Sequence, residues 1–422
     1  MARWEQMLTV YITAVERDAV SQATAETKKL RVIMKIVHIL LSGPYSDHFS
    51  YQENLLSKYH AKSGLETVLI AANWRWSIDG KLEKTETGTY RDENNVKIIR
   101  LPVLGRNCNS RIKHLKGLYR TVEDENPGIL FIHDCQSVDL GVLASYLKKH
   151  HNVRAYVDNH VDFSNGASNW LSVNVLHKMI WKHYVHRIEP YVRKFYGVLP
   201  ARVDFLINMY HLPADKCELL VMGADDEEIE RARQPELIQS NRERFGIQDD
   251  DFLIVTGGKI DAAKTQTLLL MKAVRHIDSP HLKLIVFGSI DKSLQDQVEQ
   301  LTDHDRIQYI GWAKGNQSYD YFAMADLVCF PGRHSVYWEQ VAGLGIPMLC
   351  KDWPGTHHVD LGGNVVFLER DEEQLLEEKI REIAENPEKY ERMKRAAAEK
   401  GMKEFSYKEI ARRSAGALRL HE

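Results

Sequence analysis

The chain has 422 residues, 44% of them hydrophobic and 27% charged, with a formal net charge of −3. That length is more than one compact core fills, so two domains are expected, and the near-neutral balance excludes a protein-wide nucleic-acid footprint. Five scattered cysteines without a CxxC pair (Cys108, Cys135, Cys217, Cys329, Cys350) exclude a disulfide frame, and no apolar run is long enough to span a bilayer.

The first residues lack a basic segment followed by an apolar core, so they do not read as a signal peptide. The expected location is cytoplasmic, with the inner face of a membrane as the other option. Residues 1–33 precede the first strand-like run. Trp4, Met7, Leu8, Tyr11, Ile12 and Val15 have helical spacing and predict an N-terminal helical extension. A packed helix or start-site extension is the plainer reading; Glu5, Glu16 and Asp18 weaken a membrane-surface one.

From residue 34 short apolar runs alternate with helical patterns. Strands are predicted at 35–41, 66–72, 96–102, 129–134, 154–160, 196–200 and 217–223, with helices near 50–64 and 137–151. Continuous apolar strands of this kind belong to parallel sheets covered on both faces. A charged stretch at 224–250 predicts an interdomain connection with a surface helix. A second alternation follows, with strands at 252–258, 282–288, 306–312, 326–331, 346–352 and 364–369, then a charged helical tail. The fold class is α/β: two Rossmann-like domains facing across a cleft. The expected division is 34–225 for the acceptor side and 226–404 for the donor side, with a last helix at about 405–422 packing back on the first domain.

Open parallel sheets bind ligands at the carboxyl ends of their strands. In the second domain "TGGKIDAAKTQTLLLMKAV" follows the first strand. Gly257 and Gly258 allow a tight turn, while Lys259 and Lys264 flank a loop before a helix. Two lysines beside free helix-terminal amides suit a diphosphate, although GxxxxGK[ST] and GxGxxG are both absent. Glu339 follows a strand, a Pro-Gly turn and the pair His334-Ser335. It reads either as a helix-start carboxylate or as an acceptor for a ribose diol, with the amides around Ser335 and Val336 facing phosphates or donor sugar.

In the first domain "YVDNHVDFSNG" places Asp158, His160, Asp162 and Asn165 after a strand, and His133-Asp134 follow another. So many polar groups at strand ends favour a cleft over a packed core. His177, His183 and His186 lack metal-ligand spacing, and His357-His358 read as loop or site rim, so no metal is expected. A basic, aromatic segment at 177–197 reads as an amphipathic helix with core aromatics, and secondarily as an anionic membrane contact.

These pieces together resemble family-4 retaining glycosyltransferases of the GT-B fold. The resemblance rests on "VTGGKIDAAKTQTLLLMKAV", "LIVFGS", "IQYIGW", "YDYFAMADLVCFP" and the glutamate before "QVAGLGIPML", with "MKIVHILLSGPYSDHFSYQENLLSKYHAKSGLETVLIAAN" and "PARVDFLINMYHLPADKCELLVMGADD" in the first half. It covers roughly residues 34–422 in order. It implies that Lys259 and Lys264 hold the nucleotide diphosphate and stabilise the leaving group. Glu339 would be the second glutamate of the Glu-x7-Glu signature and bind ribose hydroxyls. By the same resemblance Gly43 is the glycine turn near the donor phosphates, and His160 faces the reacting sugar. The chain departs at the first signature glutamate, where Pro331 stands and "GRHSVYW" replaces a glycine-rich loop; His334 and Ser335 are the expected substitutes.

The implied activity is metal-independent transfer from a nucleotide-diphosphate sugar, UDP-linked by expectation, to a hydroxyl of a glycan, lipid-linked or other acceptor. No cofactor and no nucleic acid are expected, and a homo-oligomer or a partner subunit is compatible. His160 and Lys264 are the candidate catalytic residues, while His133, Asp134, Asp158 and Asp162 are expected to line the acceptor side. Two alternatives share the fold: a nucleotide-sugar epimerase, and a non-catalytic nucleotide-sugar-binding partner subunit.

Overall fold

The computed structural model describes residues 34–77, 81–110, 112–167, 169–262 and 264–416, so the predicted extension at 1–33 lies outside the described residues. The first sheet contains β1 (Lys35–Leu40), β2 (Glu66–Ala72), β3 (Gly88–Arg91), β4 (Lys97–Leu101), β5 (Ile129–His133), β6 (Arg154–Asn159), β7 (Val192–Gly197) and β8 (Cys217–Leu219). Its order is β8-β7-β6-β5-β1-β2-β4-β3. Every pairing is parallel except that of β3, an antiparallel edge strand on β4. Val37, Ile39, Val68, Ile70, Leu130 and Ile132 are fully buried in the core on one face of this sheet. Helix α1 (Gln52–Lys62) follows β1 and buries Leu55, Leu56 and Tyr59 in a cluster on the other face.

The strand predicted at 196–200 lies instead at Val192–Gly197, because Pro200 opens helix α2 (Pro200–Tyr210). The segment 177–197 is therefore not one helix. A π-helical stretch Ser172–Trp181 and a helix Lys182–Ile188 end at Pro190, and β7 follows. Its aromatics Trp181 and Phe195 are core residues.

The second sheet contains β9 (Phe252–Gly257), β10 (Leu282–Phe287), β11 (Ile307–Tyr309), β12 (Leu327–Phe330), β13 (Met348–Lys351) and β14 (Val365–Leu368). Its order is β11-β10-β9-β12-β13-β14, parallel throughout. Helix α3 (Gln266–His276) follows β9, and α4 (Tyr337–Leu344) follows β12.

The chain crosses between the halves twice. At the first crossing Asp225 accepts from Lys58 Nζ at 2.6 and 2.9 Å and from Tyr59 OH at 2.6 Å, both on α1. Its own N–H donates to Tyr319 OH of the second half at 2.7 Å. After α5 (Pro387–Glu404) the chain crosses back beside the first crossing: Ala224 N donates to Phe405 O at 2.8 Å, and Tyr407 N to Ala224 O at 3.2 Å. Helix α6 (Tyr407–Ser414) then packs against α1. The stretch 224–250 holds two helices, Asp226–Ala232 and Pro235–Arg244, and the first buries Ile229 and Ala232.

Candidate active site

On the second domain, the carboxyl ends of β9 and β10 meet through glycines. A Cβ on Gly288 would lie 1.7 Å from Gly258 O, and Gly288 and Gly258 have φ of +135° and +137°. Only glycine lets the two strand ends approach so closely at these angles. Lys259 leaves this turn exposed, pairing with Asp261 at 3.1 Å, and Lys264 stands half-buried just before α3. The loop after β12 reaches the same helix start, where a Cβ on Gly332 would lie 3.4 Å from the Gln266 side chain. The lysines, Gly258 and the 332–336 loop thus share one end of the sheet. Ser335 is half-buried there and Val336 is exposed.

Glu339, in the first turn of α4, is fully buried. Its Oε1 accepts from His334 Nε2 and from His358 Nε2, each at 2.8 Å, while its Oε2 has no partner among the described residues. Burial alone would raise this carboxyl; the two histidines outweigh it and hold Glu339 well below the ordinary carboxylate range. His358 comes from the turn after β13, a residue that sequence reasoning left as loop or rim. Its signal was a histidine pair just past a strand end. The partner of that pair, His357, bonds Asp352 at 2.6 Å instead.

On the first domain, Asp158 ends up beneath the cleft and not in its wall. It is fully buried, and a buried carboxylate needs donors on both oxygens. Asp134 N–H supplies Oδ1 at 2.8 Å, His133 Nδ1 meets Oδ2 at 2.8 Å, and His160 Nε2 stands 3.5 Å from Oδ1. Burial would raise Asp158, but His133 and then His160 outweigh it and depress it strongly. Burial likewise opposes the charged form of His160, yet Asp158 overrides it and raises the imidazole to about 9. Of this group His160 has the more exposed ring, with 30% of its side chain accessible. Asp134 adopts φ +70° at the end of β5, a strained backbone of the kind found at functional sites, and burial raises its carboxyl.

Asp162 is also buried, because it organises the loop: it accepts from Ser164 N at 2.7 Å and pairs with Arg202 Nε at 3.3 Å. Gly43 takes φ +74° after β1, with open space where a Cβ would stand. His177 bonds Tyr210 OH at 2.8 Å and His186 bonds Tyr210 O at 2.7 Å, both as packing contacts. Four groups among the described residues bring nitrogen and oxygen ligand atoms within 4.8 Å of one another, and two of them, His334–Glu339–His358 and Asp134–Asp158–His160, lie at these strand ends. The 2.8 Å separations on Glu339 are hydrogen-bond lengths, and each link is satisfied by one imidazole proton.

Two stacked-domain sheets of this order, with polar strand ends facing one another, match many solved structures. A glycosyltransferase from Rickettsia africae superposes with TM-score 0.65 at 12% identity, over 90% of this chain and 96% of that one. The fold is GT-B. Anabaena HepE, solved in complex with UDP, gives TM-score 0.63 at 15% identity over 90% and 98% of the two chains. Sucrose-phosphate synthase from Thermosynechococcus elongatus gives 0.63 at 12% identity, over 90% and 97%. In sequence, residues 238–400 match the family model described as glycosyl transferases group 1. An uncharacterized glycosyltransferase of Methanocaldococcus jannaschii is 25% identical over 132 residues, 31% of this chain. That match spans only 33% of the relative's length. The GT-B half carrying Lys259, Lys264 and Glu339 is therefore the half with a family match.

Proposed function

We propose that this protein is a retaining glycosyltransferase that moves a sugar from a nucleoside-diphosphate donor, UDP-linked by our reading, to a hydroxyl of a glycan or lipid-linked acceptor. The observation that carries the reading is Glu339: a fully buried carboxylate at the start of a helix after β12, with one oxygen unpartnered, inside the segment matched by the glycosyltransferase family. Such a group is costly to bury unless something uses it. A ribose diol would donate to Oε2. Because Glu339 is covered, this requires the 332–336 loop to shift, and His334 then turns toward the donor. The UDP-bound state of HepE, of the same fold, supports the choice of nucleotide.

Lys259, Lys264 and the N-terminus of α3 would hold the diphosphate and stabilise charge as it develops on the departing phosphate. Gly43 would lie against the donor phosphates from the first domain. The acceptor hydroxyl attacks on the face that the phosphate leaves, its proton passing to that phosphate. His160, kept cationic by Asp158, would orient the sugar or acceptor at that point. Domain closure would limit hydrolysis by excluding water. No protein-bound metal is needed in this scheme, since lysines supply the positive charge.

For the acceptor, residues 163–179 expose Phe163, Trp170, Leu171 and Met179, with Lys178 exposed beside them. Apolar side chains flanked by lysine suit the surface of an anionic membrane, and this favours a lipid-linked acceptor and peripheral contact. No helix among the described residues is long and apolar enough to cross a membrane.

The test is a thermal-shift screen against UDP, GDP, ADP, dTDP and CMP, repeated with Glu339→Gln. A selective shift with UDP that the variant loses supports the reading. No shift with any nucleotide overturns the nucleotide-site reading, whereas a UDP shift without sugar transfer moves the weight to the non-catalytic nucleotide-sugar-binding subunit, the reading favoured by Pro331 at the first signature position.

A further inference from the structure

The first domain contains a row of hydrogen bonds that the transfer scheme does not use. From Asp158 Oδ2 it runs to His133 Nδ1 at 2.8 Å, and from His133 Nε2 to His38 Nδ1 at 3.0 Å. It continues from His38 Nε2 to His60 Nδ1 at 3.0 Å, and ends with His60 Nε2 at 2.9 Å from Ala411 O on α6. The row joins β6, β5, β1, α1 and α6. All four side chains are at most 2% exposed, so water supplies none of the links.

Its protons can be counted. A carboxylate oxygen and a carbonyl oxygen are acceptors only, and both ends of the row are of that kind. Four links therefore need four N–H protons, whereas three neutral imidazoles bring three. Ser414 Oγ offers the one escape: it lies 3.1 Å from His60 Nε2 and could donate there. It also lies 2.9 Å from Ala411 O, which would then lose that single hydrogen, and the His60 lone pair would face that carbonyl at 2.9 Å. The order with a proton on His60 Nε2 avoids this repulsion, and Ser414 then donates to Ala411 O.

We propose that the three imidazoles hold four protons, one ring being an imidazolium that neutralises Asp158, and that His38 and His60 thereby position the cleft pair Asp158–His160. With the extra proton on the ring beside Asp158, the order is fixed throughout. His133 carries both protons, and His38 and His60 are Nε2–H tautomers. The Asp158 carboxylate 2.8 Å from His133 Nδ1 places the charge on that ring, while burial and their imidazole neighbours depress His38 and His60, the latter to about 4. The titratable groups facing His133 are His38 on β1, His60 and Glu53 on α1, Asp134 after β5, and Asp158 at the end of β6, which His160 meets from its other side. His38 faces His60, His133 and Asp158. The inference does not depend on the transferase reading.

Nitrogen-15 NMR of the histidine-labelled full chain near neutral pH tests it, because imidazole nitrogen shifts separate imidazolium from each neutral tautomer. Signals are assigned by through-bond correlation, with His38→Asn and His60→Asn as a cross-check. We expect one ring protonated on both nitrogens and hydrogen bonded to Asp158, with Nε2–H tautomers at His38 and His60. Ser414→Ala leaves that pattern unchanged, since its hydroxyl does not donate to His60. Three neutral rings with Nδ1–H at His38 and His60 overturn the proposal, as does a tautomer change in Ser414→Ala. A purely packing role for the histidines predicts no fixed tautomer order at all.

Discussion

His358 Nε2 lies 2.8 Å from Glu339 Oε1, although the two residues are 19 positions apart in the chain. The contact joins the helix after β12 to the turn after β13, so the carboxylate is gripped from both sides of the same sheet end. Removing it leaves two buried donors without an acceptor. Glu339→Ala should therefore lose about 3–5 kcal/mol of stability, as for other broken buried pairs. Glu339→Gln keeps an acceptor oxygen and should fold, while UDP affinity falls about tenfold or more, roughly 1.4 kcal/mol. Denaturant unfolding and calorimetric titration with UDP separate the two effects; equal UDP affinity in Glu339→Gln would remove this residue from the nucleotide site.

Lys264→Ala should act on turnover. A donor to the charge that develops on the leaving phosphate is worth about 10²–10³-fold in kcat. Initial rates of UDP release with saturating donor check it, and a rate within twofold (about 0.4 kcal/mol) of the parent would exclude the role.

Gly288→Ala should disable the donor end without touching any charged group. The new Cβ would meet Gly258 O at 1.7 Å, so the loop carrying Lys259 must move. Nucleotide binding should drop more than for Gly246→Ala, where φ is also positive but nothing lies within 4 Å. A comparison of UDP dissociation constants decides it.

His160 and Asp158 give a pH signature. His160 is raised to about 9, so the stabilisation from its pairing is fully present below the ordinary imidazole value of about 6.5 and fades as pH rises through 9. Asp158 is depressed, so on the acid side its contribution lasts until the pH falls below the usual carboxylate range. The Tm difference between parent and His160→Gln should be largest near pH 6 and shrink above about 9. A difference that stays flat across that interval would mean that the pair carries no charge interaction.

Asp225→Ala should loosen the junction of the two halves. It removes the N-cap to Glu227 N and the acceptor for Lys58 and Tyr59. We expect a loss of about 3–5 kcal/mol, with Asp225→Asn intermediate, measured by denaturant unfolding.

The parallel sheets were legible because their strands are continuous apolar runs, and each of those runs but the one at 196–200 contains a strand. The edge strand Gly88–Arg91 was not, since all four residues are exposed and carry no apolar pattern. Pro190 and Pro200 shifted β7, which a hydrophobic scan placed too late. At the site, Lys259, Lys264, His334 and Glu339 were visible because each lies next to a strand end. His358 was set aside because its partner, Glu339, lies on a different element, helix α4. His38 and His60 were not singled out at all: one lies mid-strand and the other on a helix, and only folding brings them to His133.

The paired crossings at Ala224 and Phe405 have a mechanical consequence. Since the outgoing and returning segments are bonded to each other, the backbone joins the two halves through one short two-stranded junction and not through two independent linkers. The carboxyl-terminal helix rides with the first half. Cutting the chain after Glu404 would leave both sheets intact yet turn that junction into a tether.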